Sequence, residues 1–153
     1  MKVLVTVGTT AFEGLISYID QLKTSVDEFE LQIGPTDYTP SNYPYFQFID
    51  DIEKKYLDAD VIISHCGAGS TYRLLELGKP LILVPNLERV DQHQKDLARF
   101  MEQGNYAYTA WAVEKIPFYL DKIRNDEFNL EIFTKENFSA KEYLQDVINR
   151  SLG

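Results

Sequence analysis

The residues best suited to chemistry stand together in one heptad, His65-Cys66-Gly67-Ala68-Gly69-Ser70-Thr71. Two glycines let the backbone turn sharply and let a ligand come close to it. Ser70 and Thr71 supply hydroxyls, and either can cap a helix that follows. A helix starting here aims unpaired N–H groups and the positive end of its dipole at the turn, which makes a seat for a phosphate. On residue type alone His65 reads equally as a buried histidine fixing the turn. Cys66, the only cysteine, excludes an internal disulfide and fits a reducing compartment. It reads as a small core residue, because nothing beside it lowers its pKa as a nucleophile requires.

A second glycine–hydroxyl turn, Gly8-Thr9-Thr10, lies near the start of the chain. It lacks the GxxxxGK[ST] spacing of a P-loop, so both a phosphate loop and an ordinary strand–helix turn stay open. Asp58-Ala59-Asp60 has the look of a metal-binding DxD, but it precedes its strand instead of following one, and reads as capping and solvation.

Such turns need strands and helices to place them. Residues 3–7, 29–33, 46–49, 61–63, 81–84 and 106–110 read as strands, short and apolar as buried parallel strands are. Between them, helices are expected over residues 12–25, from Asp50 or Asp51 to Leu57, from the 65–71 turn to Leu77, and from Gln92 to about Gln103. Gly78 and Pro80 end the third of these. A helix over residues 112–123 is expected to break or kink near Pro117. Residues 139–152 read as a terminal amphipathic helix with Tyr143, Leu144, Val147 and Ile148 as its stripe. The proline-spaced loop at 35–45 carries Tyr38, Tyr43 and Tyr45, which either cover the core edge or face a partner. This alternation is that of an α/β fold with a doubly wound, mainly parallel sheet in a single domain over residues 1–153. In such sheets ligands bind at the C-terminal strand ends, where both glycine turns and the polar 85–94 loop would fall.

Lys and Arg total 15 against 24 Asp and Glu, a net charge of −9. That argues against a nucleic-acid surface, but not against a small anion held by backbone dipoles. The apolar run at the N-terminus is too short for a signal peptide, and no stretch approaches the ~18 apolar residues of a membrane span.

The motifs VTVGTTAFEGLI, LQIG, ISHCGAGS, LGKP, HQKDLA and ENFSAKEYLQDVI occur in order, and together they resemble the glycosyltransferase family 28 C-terminal domain. This is the Rossmann-like C-terminal half of GT-B enzymes. Within that family the chain resembles the small stand-alone subunits, both the asparagine-linked-glycosylation UDP-GlcNAc transferase type and the bacterial PssE-like polysaccharide type. The resemblance implies that Gly8, Thr9 and Thr10 face a diphosphate and that the Ile49 backbone meets the uracil. It implies that His65, Gly67, Ala68, Gly69, Ser70 and Thr71 form the phosphate turn, and that His93 and Gln94 contact sugar hydroxyls. Asp91-Gln92 offers another register for that last pair. The family usually carries a ribose-binding Glu at the position of Arg73. Arg has no acceptor, so Arg73 is expected either to meet the donor's anionic part or a sugar carboxylate, or to stay a surface charge.

What the resemblance implies as a whole is the donor-binding subunit of a two-component inverting glycosyltransferase. It would move a hexose, GlcNAc or a uronic acid, from a UDP-sugar to a lipid-linked saccharide. It needs no cofactor and no metal. A membrane-anchored, acceptor-binding partner subunit would recruit the chain from the cytoplasm to the cytoplasmic face of the membrane. His93 is a weak candidate for the catalytic base. Two other classes stay open: a non-catalytic nucleotide-sugar-binding or regulatory subunit, and a self-sufficient small nucleotide-sugar enzyme.

Overall fold

A computed structural model describes residues 1–88, 92–127, 129–133 and 148–149. Six strands form one sheet: β1 (Lys2–Thr6), β2 (Glu28–Gln32), β3 (Tyr45–Phe46), β4 (Val61–His65), β5 (Leu81–Val84) and β6 (Tyr108–Thr109). Every pairing is parallel, and the order across the sheet is β3-β2-β1-β4-β5-β6. The helices are α1 (Glu13–Gln21), α2 (Ile52–Asp58), α3 (Ala68–Glu76), α4 (Gln92–Gln103) and α5 (Ile116–Arg124), the last preceded by a 3₁₀ turn at Val113–Lys115.

Alternate strand residues serve two cores, because successive side chains leave opposite faces of a strand. Val3, Val5, Val61, Ile63, Ile82 and Val84 pack with Leu15, Ile16 and Ile19 of α1 and with Ile116, Leu120 and Ile123 of α5. On the other face Leu4, Ile62, Leu81 and Leu83 pack with Tyr56 of α2, Leu74 and Leu75 of α3, and Leu97, Ala98 and Met101 of α4. Each fully buried aliphatic side chain contributes about 1.5–3 kcal/mol. Covering both faces explains why the central strands read as unbroken apolar runs.

The order has one functional consequence. From β1 the chain moves outward through α1 to β2, and from β4 it moves the opposite way through α3 to β5. The connections therefore part between β1 and β4, opening a crevice at their C-terminal ends. Both glycine turns lie there.

Several expected boundaries shift. The edge strands β3 and β6 are two residues each, not residues 46–49 and 106–110. α1 stops at Gln21, where Leu22 turns extended. The expected break near Pro117 is there, between the 3₁₀ turn that ends at Lys115 and α5, which starts at Ile116; Pro117 kinks no α-helix. It sits in the first turn of α5, where its missing N–H costs nothing. Tyr38 donates to Asp20 (2.9 Å) and Tyr43 to the Leu22 carbonyl, and both pack on the core. Of the three loop tyrosines only Tyr45 is exposed. Asp60 accepts from the Lys2 N–H at 2.8 Å and Asp58 closes α2, so neither stands in a metal-binding arrangement. The expected terminal helix lies outside the described residues except for Ile148 and Asn149, which are helical. Among the described residues no helix is long and apolar enough to cross a membrane.

Candidate functional site at the β1–β4 crevice

The turn after β4 is built around His65. Its ring is buried, 7% exposed, and is wedged between the two glycine loops. A Cβ placed on Gly67 would lie 2.5 Å from His65 Nε2, and one on Gly8 would lie 2.9 Å from Cε1. A side chain at either position would therefore force the His65 ring to move, and Gly8 also has φ +63°, which strains any other residue. Burial pushes the His65 pKa below its ordinary 6.5, partly offset by the Thr6 backbone, so the ring is neutral at pH 7. Nδ1 completes no well-directed hydrogen bond among the described residues.

α3 begins at Ala68, with Gly67 as its N-cap and no side-chain cap. Ser70 and Thr71 do not cap it. They belong to its first turn, because the helix starts earlier than the hydroxyls suggest. Regular bonding opens with Thr71 N–H to the Gly67 carbonyl at 2.9 Å. The N–H groups of Ala68, Gly69 and Ser70 lie ahead of it, at the positive end of the dipole. Gly69 is exposed and Ser70 partly so. The Ser70 hydroxyl faces Gly8 across the crevice, 3.8 Å from where a Gly8 Cβ would be. Thr71 is fully buried, and its hydroxyl has no hydrogen-bond partner among the described residues. It is part of the phosphate turn in sequence but cannot touch a ligand.

The first loop offers fewer donors than its sequence suggests. Gln32 Oε1 accepts from Gly8 N–H at 2.9 Å, and the Val7 carbonyl accepts from Thr10 N–H at 3.4 Å. Phe12 N–H donates to Thr36 Oγ1 at 3.0 Å. At the start of α1, Gly14 N–H donates to Glu88 at 2.8 Å, so a carboxylate already occupies that helix terminus. Among the described residues nothing bonds the Thr9 N–H or the Thr9 and Thr10 hydroxyls. Of the α1 and α3 termini, that of α3 is the one left open to an anion.

The other expected residues divide. Ile49 is 44% exposed in the loop after β3, beside Gln47. Gln94 is buried and its Oε1 accepts from Asn86 N–H at 2.9 Å, bracing the 85–88 loop. Only its amide nitrogen is left to meet a sugar. His93, partly exposed, lies in the first turn of α4 on the same edge of the sheet. Asp91 lies outside the described residues. Arg73 is exposed and its guanidinium is forked onto Glu53 of α2 at 2.6 and 2.8 Å, with Glu76 at 3.3 Å. A contact to the donor would require it to leave Glu53.

Sequence reading missed the braces. Gln32, Thr36 and Asn86 are buried polar residues whose partners are loop backbone atoms. Their one available signal was a polar residue closing an apolar strand, as Gln32 does in LQIG.

The chain is similar to known proteins in sequence and in fold. The curated relatives include the UDP-N-acetylglucosamine transferase subunit ALG13 of Homo sapiens, 33% identical in an alignment of 130 residues that covers 75% of this chain and 11% of that protein. The subunit of the same name from Kluyveromyces lactis is 36% identical over 104 residues, 67% of this chain and 52% of that one. The chain thus spans about half or less of their lengths. Among solved structures, MurG of Acinetobacter baumannii has a TM-score of 0.62 at 22% identity, covering 98% of this chain and 51% of its own. An NMR structure of ALG13 gives 0.56 at 17% identity, with 94% of both chains covered. At those identities the two structures establish the fold, a Rossmann-like α/β sheet shared with GT-B enzymes. The family model described as Glycosyltransferase family 28 C-terminal domain matches residues 2–150, nearly every residue that builds the sheet and crevice, and the chain belongs to that family.

Proposed function

We propose that this chain is the donor-binding half of an inverting, UDP-sugar-dependent glycosyltransferase. The single observation that carries the reading is the crevice itself. The uncapped N-terminus of α3, with Ser70, faces the Gly8 loop across the β1–β4 switch point in a chain of this family. A departing UDP places its charge on the diphosphate. N–H groups fixed in advance at a helix terminus stabilise that charge as it develops. Gly69, Ser70, Thr9 and Thr10 hold the diphosphate, the loop at Ile49 meets the base, and His93 with the Gln94 amide reaches the hexose. The chemistry asks for no metal. Arg73 is assigned to the tie between α2 and α3 and not to the donor, because its fork is already filled.

The acceptor-binding half comes from outside this sequence, from a membrane-anchored partner that brings the chain to the cytoplasmic face and presents a lipid-linked saccharide. The curated relatives named as UDP-N-acetylglucosamine transferase subunits support this, and favour GlcNAc over a uronic acid as the hexose. The test is calorimetric titration of the purified chain with UDP, UDP-GlcNAc and UDP-glucuronic acid, followed by a transfer assay with and without the partner. UDP should bind the chain alone, and transfer should need both proteins. A folded chain with no affinity for UDP overturns the reading.

A further inference from the structure

Gln32 closes β2 and is 2% exposed, yet it is the most connected polar side chain of the crevice wall. Its Oε1 accepts from Thr6 Oγ1 (2.6 Å), Val7 N–H (3.0 Å) and Gly8 N–H (2.9 Å). Its Nε2 donates to the Gly8 carbonyl at 2.9 Å and to the Gln47 carbonyl at 2.8 Å. One amide therefore grips both the N–H and the C=O of Gly8 and also the loop that leads to Ile49. A second feature locks the same place from the other side. Gly34 has φ +53°, and a Cβ there would lie 2.6 Å from the Gly8 carbonyl. Gly34 N–H in turn donates to the Gln47 carbonyl at 3.1 Å. The Gly8 loop, the end of β2 and the loop after β3 thus form one hydrogen-bonded unit with Gln32 at its centre.

Resting on the donor-site reading above, we infer that Gln32 is a positioning residue that fixes the diphosphate-side loop relative to the base-side loop. UDP then meets two half-sites already held at the right separation. Gln32 itself is buried and touches no ligand. Its effect is specific in kind. A nucleotide that spans both loops gains from their fixed spacing, because the ordering cost has been met before binding. A fragment that touches one loop gains nothing. The same geometry gives Gly8 its role: its N–H and C=O are both consumed by Gln32, so it shapes the loop and leaves the phosphate contacts to Thr9 and Thr10.

The test compares Gln32→Met, similar in length but unable to hydrogen-bond, with the unaltered chain, using uridine and UDP as probes. In the folded variant UDP affinity should fall about tenfold or more, while uridine affinity stays within about threefold. Equal losses for both probes would mark general loosening and overturn the inference, as would no loss for either. Should Gln32→Met fail to fold, the unaltered chain decides by NMR. Uridine alone should then shift the Gln32 side-chain amide and the Gly8 N–H as well as residues 47–49, and inorganic diphosphate alone should shift the Gln47 N–H. Shifts confined to each fragment's own loop contradict the coupling. A chain that binds no UDP at all overturns the donor-site reading itself, an outcome separate from either of these.

Discussion

Ser70 is partly exposed and faces Gly8, whereas its neighbour Thr71 is sealed in the core with a hydroxyl that has no partner among the described residues. The two should respond in opposite ways. Ser70→Ala removes a hydrogen bond to a charged group, worth about 1.5–3 kcal/mol, so UDP affinity measured by calorimetry should drop at least about tenfold. Thr71→Val keeps the shape and removes a buried polar group without a partner. It should leave UDP affinity unchanged and raise stability in urea by about 1 kcal/mol. His65 sets a pH dependence. Its folded pKa lies below the ordinary 6.5 because burial opposes the charged ring. Above pH 6.5 it is neutral in both states. As pH falls below that value the unfolded chain takes up a proton that the native chain refuses, so stability declines until the native ring also protonates. Urea midpoints between pH 7.5 and 5.5 should show this decline, and His65→Gln should reduce it. An unchanged slope in that variant would place the titration elsewhere.

At the scale of elements, the crevice is held by side chains that pin loops. Asn86 donates to the Ala11 carbonyl, Gln94 holds Asn86, and Glu88 caps α1, so the 85–88 loop is fastened to the β1–α1 turn. Asp20 does the same for the 35–45 loop. It accepts from the backbone N–H groups of Ser41 and Asn42 and from the Tyr38 hydroxyl. Burial would raise its pKa, but these donors together hold it below the usual 3.8. A lowered carboxylate stabilises the fold above its unfolded pKa, and the contribution is lost as pH falls through the folded value. Asp20→Asn should therefore cost about 2 kcal/mol or more at pH 7, and the cost should shrink as pH falls below the ordinary carboxylate range, read from urea denaturation at each pH. None of these braces was legible in the sequence, because their partners are backbone atoms of distant loops. Gln32 and Gly8, or Asp20 and Asn42, are joined only when the fold is closed. What was legible was what repeats locally. β1, β4 and β5 are buried on both faces and so are spelled as apolar runs. α3 is announced by its glycines and ended by Gly78. The edge strands β3 and β6 were overextended because apolar residues continue beyond the two that pair. On sequence alone Arg73 is either a donor contact or a surface charge; its pairing with Glu53 is not visible there, because Glu53 lies on another helix.

For the molecule as a whole, a net charge of −9 makes its field repel an anionic nucleotide at long range. Binding must come from local dipoles, and that restricts where it can occur. A groove of about 610 Å³ lies away from the crevice. It lies at the opposite edge of the sheet, lined by Lys2, Asp27, Phe29, Tyr43, Lys55 and Asp58 among others. Glu28 and Glu30 line it too, and Lys55 is already paired with Glu30 at 2.7 Å. The central claim is thus a claim about location, and NMR mapping of UDP on the isotope-labelled chain tests it most directly. Amide shifts should gather at residues 8–10, 47–49 and 67–70, with those of Lys2, Phe29 and Lys55 unmoved. Shifts gathered at Lys2, Phe29 and Lys55, with Gly69 and Ser70 unmoved, would contradict the account.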